Sequence, residues 1–121
     1  MNEKGAGAEE MACRILEGKG YRILKRNYTT RFGEIDIIAQ DGDFLVFVEV
    51  KCRGRGSLSS PREAVSRAKR KRIIRSALLF LSSHPSGQPR FDVFEIQEDE
   101  KGKVWNHLIN AFGAEEYDAP F

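Results

Sequence analysis

The chain has 121 residues, a net charge of +2 and 40% hydrophobic residues. That is enough for one core, in one domain over residues 1–121, and it excludes a disordered or fibrous chain. No apolar run approaches a membrane span and no signal peptide is visible, which points to the cytoplasm.

Residues 3–19 read as a helix. Ala8, Met11, Ala12, Ile15 and Leu16 fall at helical spacing, and Gly18 and Gly20 close it. Glu9 lies at the border of that stripe. It either turns toward the sheet or is a glutamate favoured by the helix dipole. Residues 21–28 alternate as a first strand, and 29–31 make a turn. A hairpin follows, with strands at 32–39 and 44–52. Asp41-Gly42 is the strongest turn signal in the chain, as the central pair of a type I′ turn. Residues 53–60 form a loop. Ser60-Pro61-Arg62-Glu63 is a capping box with proline at the first helical position, opening a helix that runs to Ser82. Its buried stripe is Val65, Ala68, Ile73, Ile74, Ala77, Leu78 and Leu81. Residues 84–87 are a loop, and 90–96 and 103–109 are strands with Gly102 between them. Phe91, Phe94 and Trp105 read as core. Cys13 and Cys52 lack metal-site spacing and read as reduced thiols. Neither His84 nor His107 has a partner at zinc-ligand spacing.

The segment GEIDIIAQDGDFLVFVEVKCR, residues 33–53, carries the chemistry. Strand alternation puts Glu34 and Asp36 on one face of the first strand, with Ile35 and Ile37 opposite. Glu49 and Lys51 share a face of the second, with Val48 and Val50 opposite. The expected turn sets Gln40 against Asp43, Asp36 against Phe47 and Glu34 against Glu49. Asp36 and Glu49 are then diagonal neighbours, roughly 7–8 Å apart. A register shifted by two keeps the parity and sets Asp36 directly against Glu49. Carboxylates clustered among Ile, Val and Phe need a compensating charge, and a divalent metal is the usual one. An acid–x–lysine strand beside an aspartate can hold Mg²⁺ or Mn²⁺, and the lysine can orient water or stabilise developing charge.

These residues resemble the restriction-endonuclease-like superfamily. More closely, GEIDIIA, FVEVKCR, RFDVFEI and the final NAF resemble the YraN family of predicted bacterial endonucleases, itself similar to archaeal Holliday-junction resolvases. The resemblance runs from about Gly7 to Phe112. It implies an α/β fold with a mixed central sheet flanked by two helices, in the order α-β-β-β-α-β-β. It implies Asp36, Glu49 and Lys51 as catalytic residues and Glu9, Asp36 and Glu49 as metal ligands. Glu10 follows Glu9, and residue order alone does not choose between them. Glu34 is a further acid, or a sheet-surface glutamate. The resolvase similarity suggests branched DNA as substrate and a homodimer as the working form.

Charge is unevenly spread. Between Lys51 and Arg75 the bases include Arg53, Arg55, Arg67, Lys69 and Arg72, and Glu63 is the only acid. A basic segment beside a carboxylate site fits a phosphate backbone, so those five residues are the expected nucleic-acid contacts. Lys69 falls on the apolar side of its helix and either snorkels to the rim or points into the site. The reading is a metal-dependent DNA endonuclease. Its rival is a nucleic-acid-binding or adaptor protein on a nuclease scaffold. A protein-interaction role for the acidic C-terminal segment rests on charge alone.

Overall fold

The computed structural model describes residues 5–53 and 65–113. Helix α1 (Gly5–Gly18) precedes strands β1 (Arg22–Thr30), β2 (Gly33–Asp41) and β3 (Phe44–Arg53); helix α2 (Arg67–Ser82) precedes β4 (Gln88–Asp99) and β5 (Gly102–Phe112). This is the mixed α/β order that the sequence implies. The five strands lie in the order β1-β2-β3-β4-β5. Only β3 and β4 run parallel. A parallel neighbour cannot be reached by a tight turn, and α2 lies in the connection that carries the chain across.

Each sheet face carries its own core. Under α1, Ala8, Ala12, Cys13 and Leu16 meet Ile37, Ala39, Val46, Val48, Val50, Phe94 and Ile96. Under α2, Ile73, Ile74, Ala77 and Phe80 meet Ile38, Leu45, Phe47, Phe91 and Val93. With both faces covered, β3 reads as an almost unbroken apolar run. Acids inside that run are therefore costly unless they do something. Among the described residues, no helix is long and apolar enough to cross a membrane.

Several expectations are corrected. The hairpin pairs Asp41 with Phe44 and Gln40 with Leu45, so Gly42 and Asp43 are the central pair. Gly42 has φ 58° and Asp43 is not among the positive-φ residues, which matches a II′ rather than a I′ turn. The shift is by two, so parity survives. β1 continues through Thr30, because Thr29 pairs with Glu34 and Thr30 with Gly33. α2 begins at Arg67, since Ser66 is extended (ψ 156°) and its hydroxyl accepts from the Lys69 N–H. The capping box at Ser60 lies outside the described residues. In α2, Ala68 and Leu78 are exposed, while Lys71, Ser76 and Phe80 are buried. Trp105 is 44% exposed: it stacks on buried Phe94 from the edge strand, with its other face toward Lys19.

Alternation also breaks within β2. Ile35 joins the core under α2, whereas Ile37 joins the core under α1. Across the ladder, Arg26 faces Ile37 and Tyr28 faces Ile35. Asn27 between them has φ 53°, a left-handed conformation that asparagine tolerates. That residue stands opposite Asp36.

Candidate metal centre and its basic helix

The β2–β3 ladder ends at Ile37 against Val48, although both strands continue. β2 remains paired to β1 as far as Gly33, and β3 to β4 as far as Arg53. The two strands therefore part at Asp36 and Glu49, one step beyond the last pair. In this fork the Asp36 side chain takes over from backbone pairing: its Oδ2 accepts the Val50 N–H at 2.8 Å. That bond fixes the carboxylate between the strands.

Asp36 is 3% exposed. Glu9 reaches it from α1 and is 4% exposed. Glu34 joins from the strand's outer end and accepts from the Thr29 hydroxyl at 3.3 Å. One carboxylate oxygen from each of Glu9, Glu34 and Asp36 lies within 4.8 Å of the others. Glu9 and Asp36 are buried and Glu34 is exposed, and like charges so close repel one another. Their donors are hard oxygens, the set preferred by Mg²⁺, Mn²⁺ or Ca²⁺ rather than zinc. The residues present thus fit a divalent ion. The choice between Glu9 and Glu10 is also resolved: Glu10 points away, bonded to Arg14 at 3.2 Å and Arg26 at 2.9 Å. Those two guanidiniums, Arg26 first, hold its carboxyl below the usual range.

Glu49 is placed beside this trio but is not part of it. It is on the α2 side of β3, and Lys69 Nζ approaches its Oε2 at 2.9 Å. Of the two directions open to Lys69, the structure selects the one into the site. Lys51 stands two residues on from Glu49, half-buried, opposite Glu95 in the parallel ladder. The fork thus gathers Glu9, Glu34 and Asp36, with the Glu49–Lys69 pair one step past the last β2–β3 pairing and Lys51 two residues along β3 from Glu49.

Arg67 and Arg72 are exposed on α2. Arg72 packs along Gly33, where an added Cβ would lie 3.6 Å from the arginine Cβ. This places the helix's basic side against the start of β2, next to the carboxylates. Arg53 ends β3, and Arg55 lies outside the described residues.

Sequence reasoning missed a second buried polar centre. Asp92 on β4 is fully buried. It accepts from Arg90 Nε at 3.0 Å and Nη2 at 2.9 Å, from His107 Nε2 at 2.7 Å and from the Asn110 N–H at 3.0 Å. Arg90 also donates to Asp41 at 3.0 Å and to the Tyr21 hydroxyl at 2.7 Å. Lys19 Nζ meets His107 Nδ1 at 2.8 Å, so His107 accepts there and donates through Nε2 to Asp92. Burial pushes the Asp92 carboxyl up, but the donors outweigh it and hold it below the usual range. The signal was Arg90-Phe91-Asp92: opposite charges two apart share a strand face, just as Glu49 and Lys51 do. His84, by contrast, stacks on Phe80 with ring centroids 4.1 Å apart and meets the Phe80 carbonyl through Nδ1 at 3.1 Å.

Residues 8–96 match the sequence model of the uncharacterised protein family UPF0102. The chain is 49% identical to a UPF0102 protein of Alkaliphilus oremlandii, over 93% of this chain and all of that one. It is 46% identical to one from Syntrophomonas wolfei, over 91% of this chain and 97% of the relative. A Dictyoglomus thermophilum relative is 42% identical, over 93% of this chain and all of its own length.

Proposed function

The chain belongs to the UPF0102 family, and from that premise we propose that it is a divalent-metal-dependent endonuclease acting on DNA. The observation that carries this reading is the fork: three acids gathered within 4.8 Å, two of them buried, with Glu49, Lys51 and Lys69 alongside. Burying carboxylates at such spacing is costly unless a positive charge compensates.

Glu9, Glu34 and Asp36 would hold Mg²⁺ or Mn²⁺, and Glu49 would complete the set. Such an ion lowers the pKa of bound water and withdraws charge from a phosphoryl oxygen. The chain's own residues do the rest. Asp36, fixed by the Val50 N–H, keeps the ligand set in place without a rearrangement at each turnover. Lys51 offers a half-buried ammonium on the Glu49 face, suited to aligning the nucleophile or stabilising the pentacovalent phosphate. Arg67 and Arg72, with Arg53 and Arg55 where β3 leads on, would contact the backbone. Branched DNA and a homodimer follow from the similarity to resolvases and belong to the same proposal.

A second reading, a binding protein with little catalysis, draws on the Lys69–Glu49 pair, which neutralises one of the acids. One experiment separates the two. Labelled linear, flapped and four-way-junction DNAs are incubated with Mg²⁺ or Mn²⁺ and wild type, Asp36→Ala or Lys51→Ala. Under the nuclease reading, Asp36→Ala and Lys51→Ala each lose on the order of 10²–10³ in cutting rate, and Lys51→Ala keeps its affinity for DNA. Binding by wild type without cutting, under either ion, gives the second reading.

A further inference from the structure

We infer that Lys69 is an internal counter-ion at Glu49 that competes with the divalent cation, so that α2 sets the metal affinity of the fork. The inference rests on the metal-binding part of the proposed function. It concerns a positioning residue, one that acts through Glu49.

Glu49 is on a strand buried on both faces, and its side chain is 3% exposed. An ionised carboxylate at that depth needs positive charge close by. Lys69 supplies it at 2.9 Å from Oε2, while its own side chain is 34% exposed. The pair is thus unequal: the acid cannot leave, but the ammonium can swing outward on a flexible stem. A cation held by Glu9, Glu34 and Asp36 that also drew in Glu49 would compete for the Oε2 that Lys69 faces. The two positive charges repel at such range, so one excludes the other. The base of Lys69 is held firmly. Its backbone N–H is capped by the Ser66 hydroxyl at 3.2 Å, and Arg72, three residues on, packs against Gly33 of β2. Movement is therefore confined to the side chain, which turns from the acid toward solvent.

The test is Mn²⁺ binding by isothermal titration to the full chain, without nucleic acid. Lys69→Met keeps the stem and removes the charge; it should bind Mn²⁺ at least tenfold more tightly than wild type. Its melting temperature should fall in chelator, where the Lys69–Glu49 ion pair is lost, and recover when Mn²⁺ is added. Lys69→Arg keeps the charge and offers a planar fork that grips a carboxylate on two sides. It should fold like wild type and bind Mn²⁺ more weakly, so the prediction stands even if Lys69→Met folds poorly. Affinities within twofold of wild type in both variants, with wild type binding the ion, overturn the inference and leave the nuclease reading intact. Mn²⁺ bound by neither wild type nor Lys69→Met overturns the inference together with the metal reading.

Discussion

Asp92 and Asp36 are both buried aspartates on central strands, yet chemistry separates them. Asp92 receives four hydrogen bonds and a guanidinium, so its charge is fully compensated within the protein. Asp36 sits among other acids and receives one backbone N–H from Val50. The first arrangement stabilises the fold; the second is the one that the proposed metal would neutralise. Asp92→Asn should therefore cost about 3 kcal/mol at neutral pH, since it removes one of the two carboxylates that Arg90 faces and leaves Asp41 as the other. The sign of the pH dependence follows from the lowered Asp92 carboxyl. A depressed folded pKa gives stability that is present above the unfolded value of about 4 and is lost as pH falls through the folded one. Urea titrations from pH 7 down to pH 2 should show wild type losing stability on acidification and Asp92→Asn losing less. Equal slopes would mean that the carboxylate is not what links β4 to β5. At this scale the sequence was half legible. Glu49-x-Lys51 stood out because its neighbours are apolar. Arg90-x-Asp92 carries the same signal, but its partners, Tyr21, Asp41 and His107, are 15 to 71 positions from Asp92 and converge only in the fold.

The elements were more legible than their ends. Both helices and all five strands follow from apolar spacing and turn residues, because a covered sheet forces the pattern on each strand. Ends depend on which of several caps is used, and the competitors look alike in sequence. Ser60-Pro61-Arg62-Glu63 has every mark of a helix start but lies outside the described residues, and within them Ser66 caps the helix that begins at Arg67. Aspartate-glycine likewise signals a turn without fixing its register: the pairing of Asp41 with Phe44 makes Gly42 and Asp43 the central pair, and a shift by two keeps each side chain on the same face, so the apolar pattern cannot tell the two registers apart. The cap at Ser66 matters beyond helix stability, since its hydroxyl holds the Lys69 N–H. Ser66→Ala should cost about 1 kcal/mol by urea unfolding. An unchanged midpoint would show that the turn before Arg67 supplies the helix with another cap.

Across the whole molecule, the sheet is continuous through β3 but opens on one side. β3 stays paired to β4 along its length while β2 leaves it after Ile37, so the fork costs backbone pairing on one edge only. α1 covers the face from which Glu9 arrives, and α2 covers the face from which Lys69 arrives. The site is where both layers meet the sheet, and neither helix alone could complete it. Such a design concentrates like charge at a point that a rigid fold cannot relax, and that strain should be measurable. Asp36→Asn keeps an oxygen to accept the Val50 N–H but removes one of the three crowded charges. In chelator it should melt at or above the wild-type temperature, as substitutions that relieve a functional site commonly do. With Mn²⁺ the order should reverse. A ligand at a hundredfold its dissociation constant stabilises by about 2.7 kcal/mol, and only the wild type keeps the full ligand set. A crossing of the two melting series with added ion ties the buried acids to metal. If Asp36→Asn is the less stable protein under both conditions, Asp36 serves the strands and not a cation.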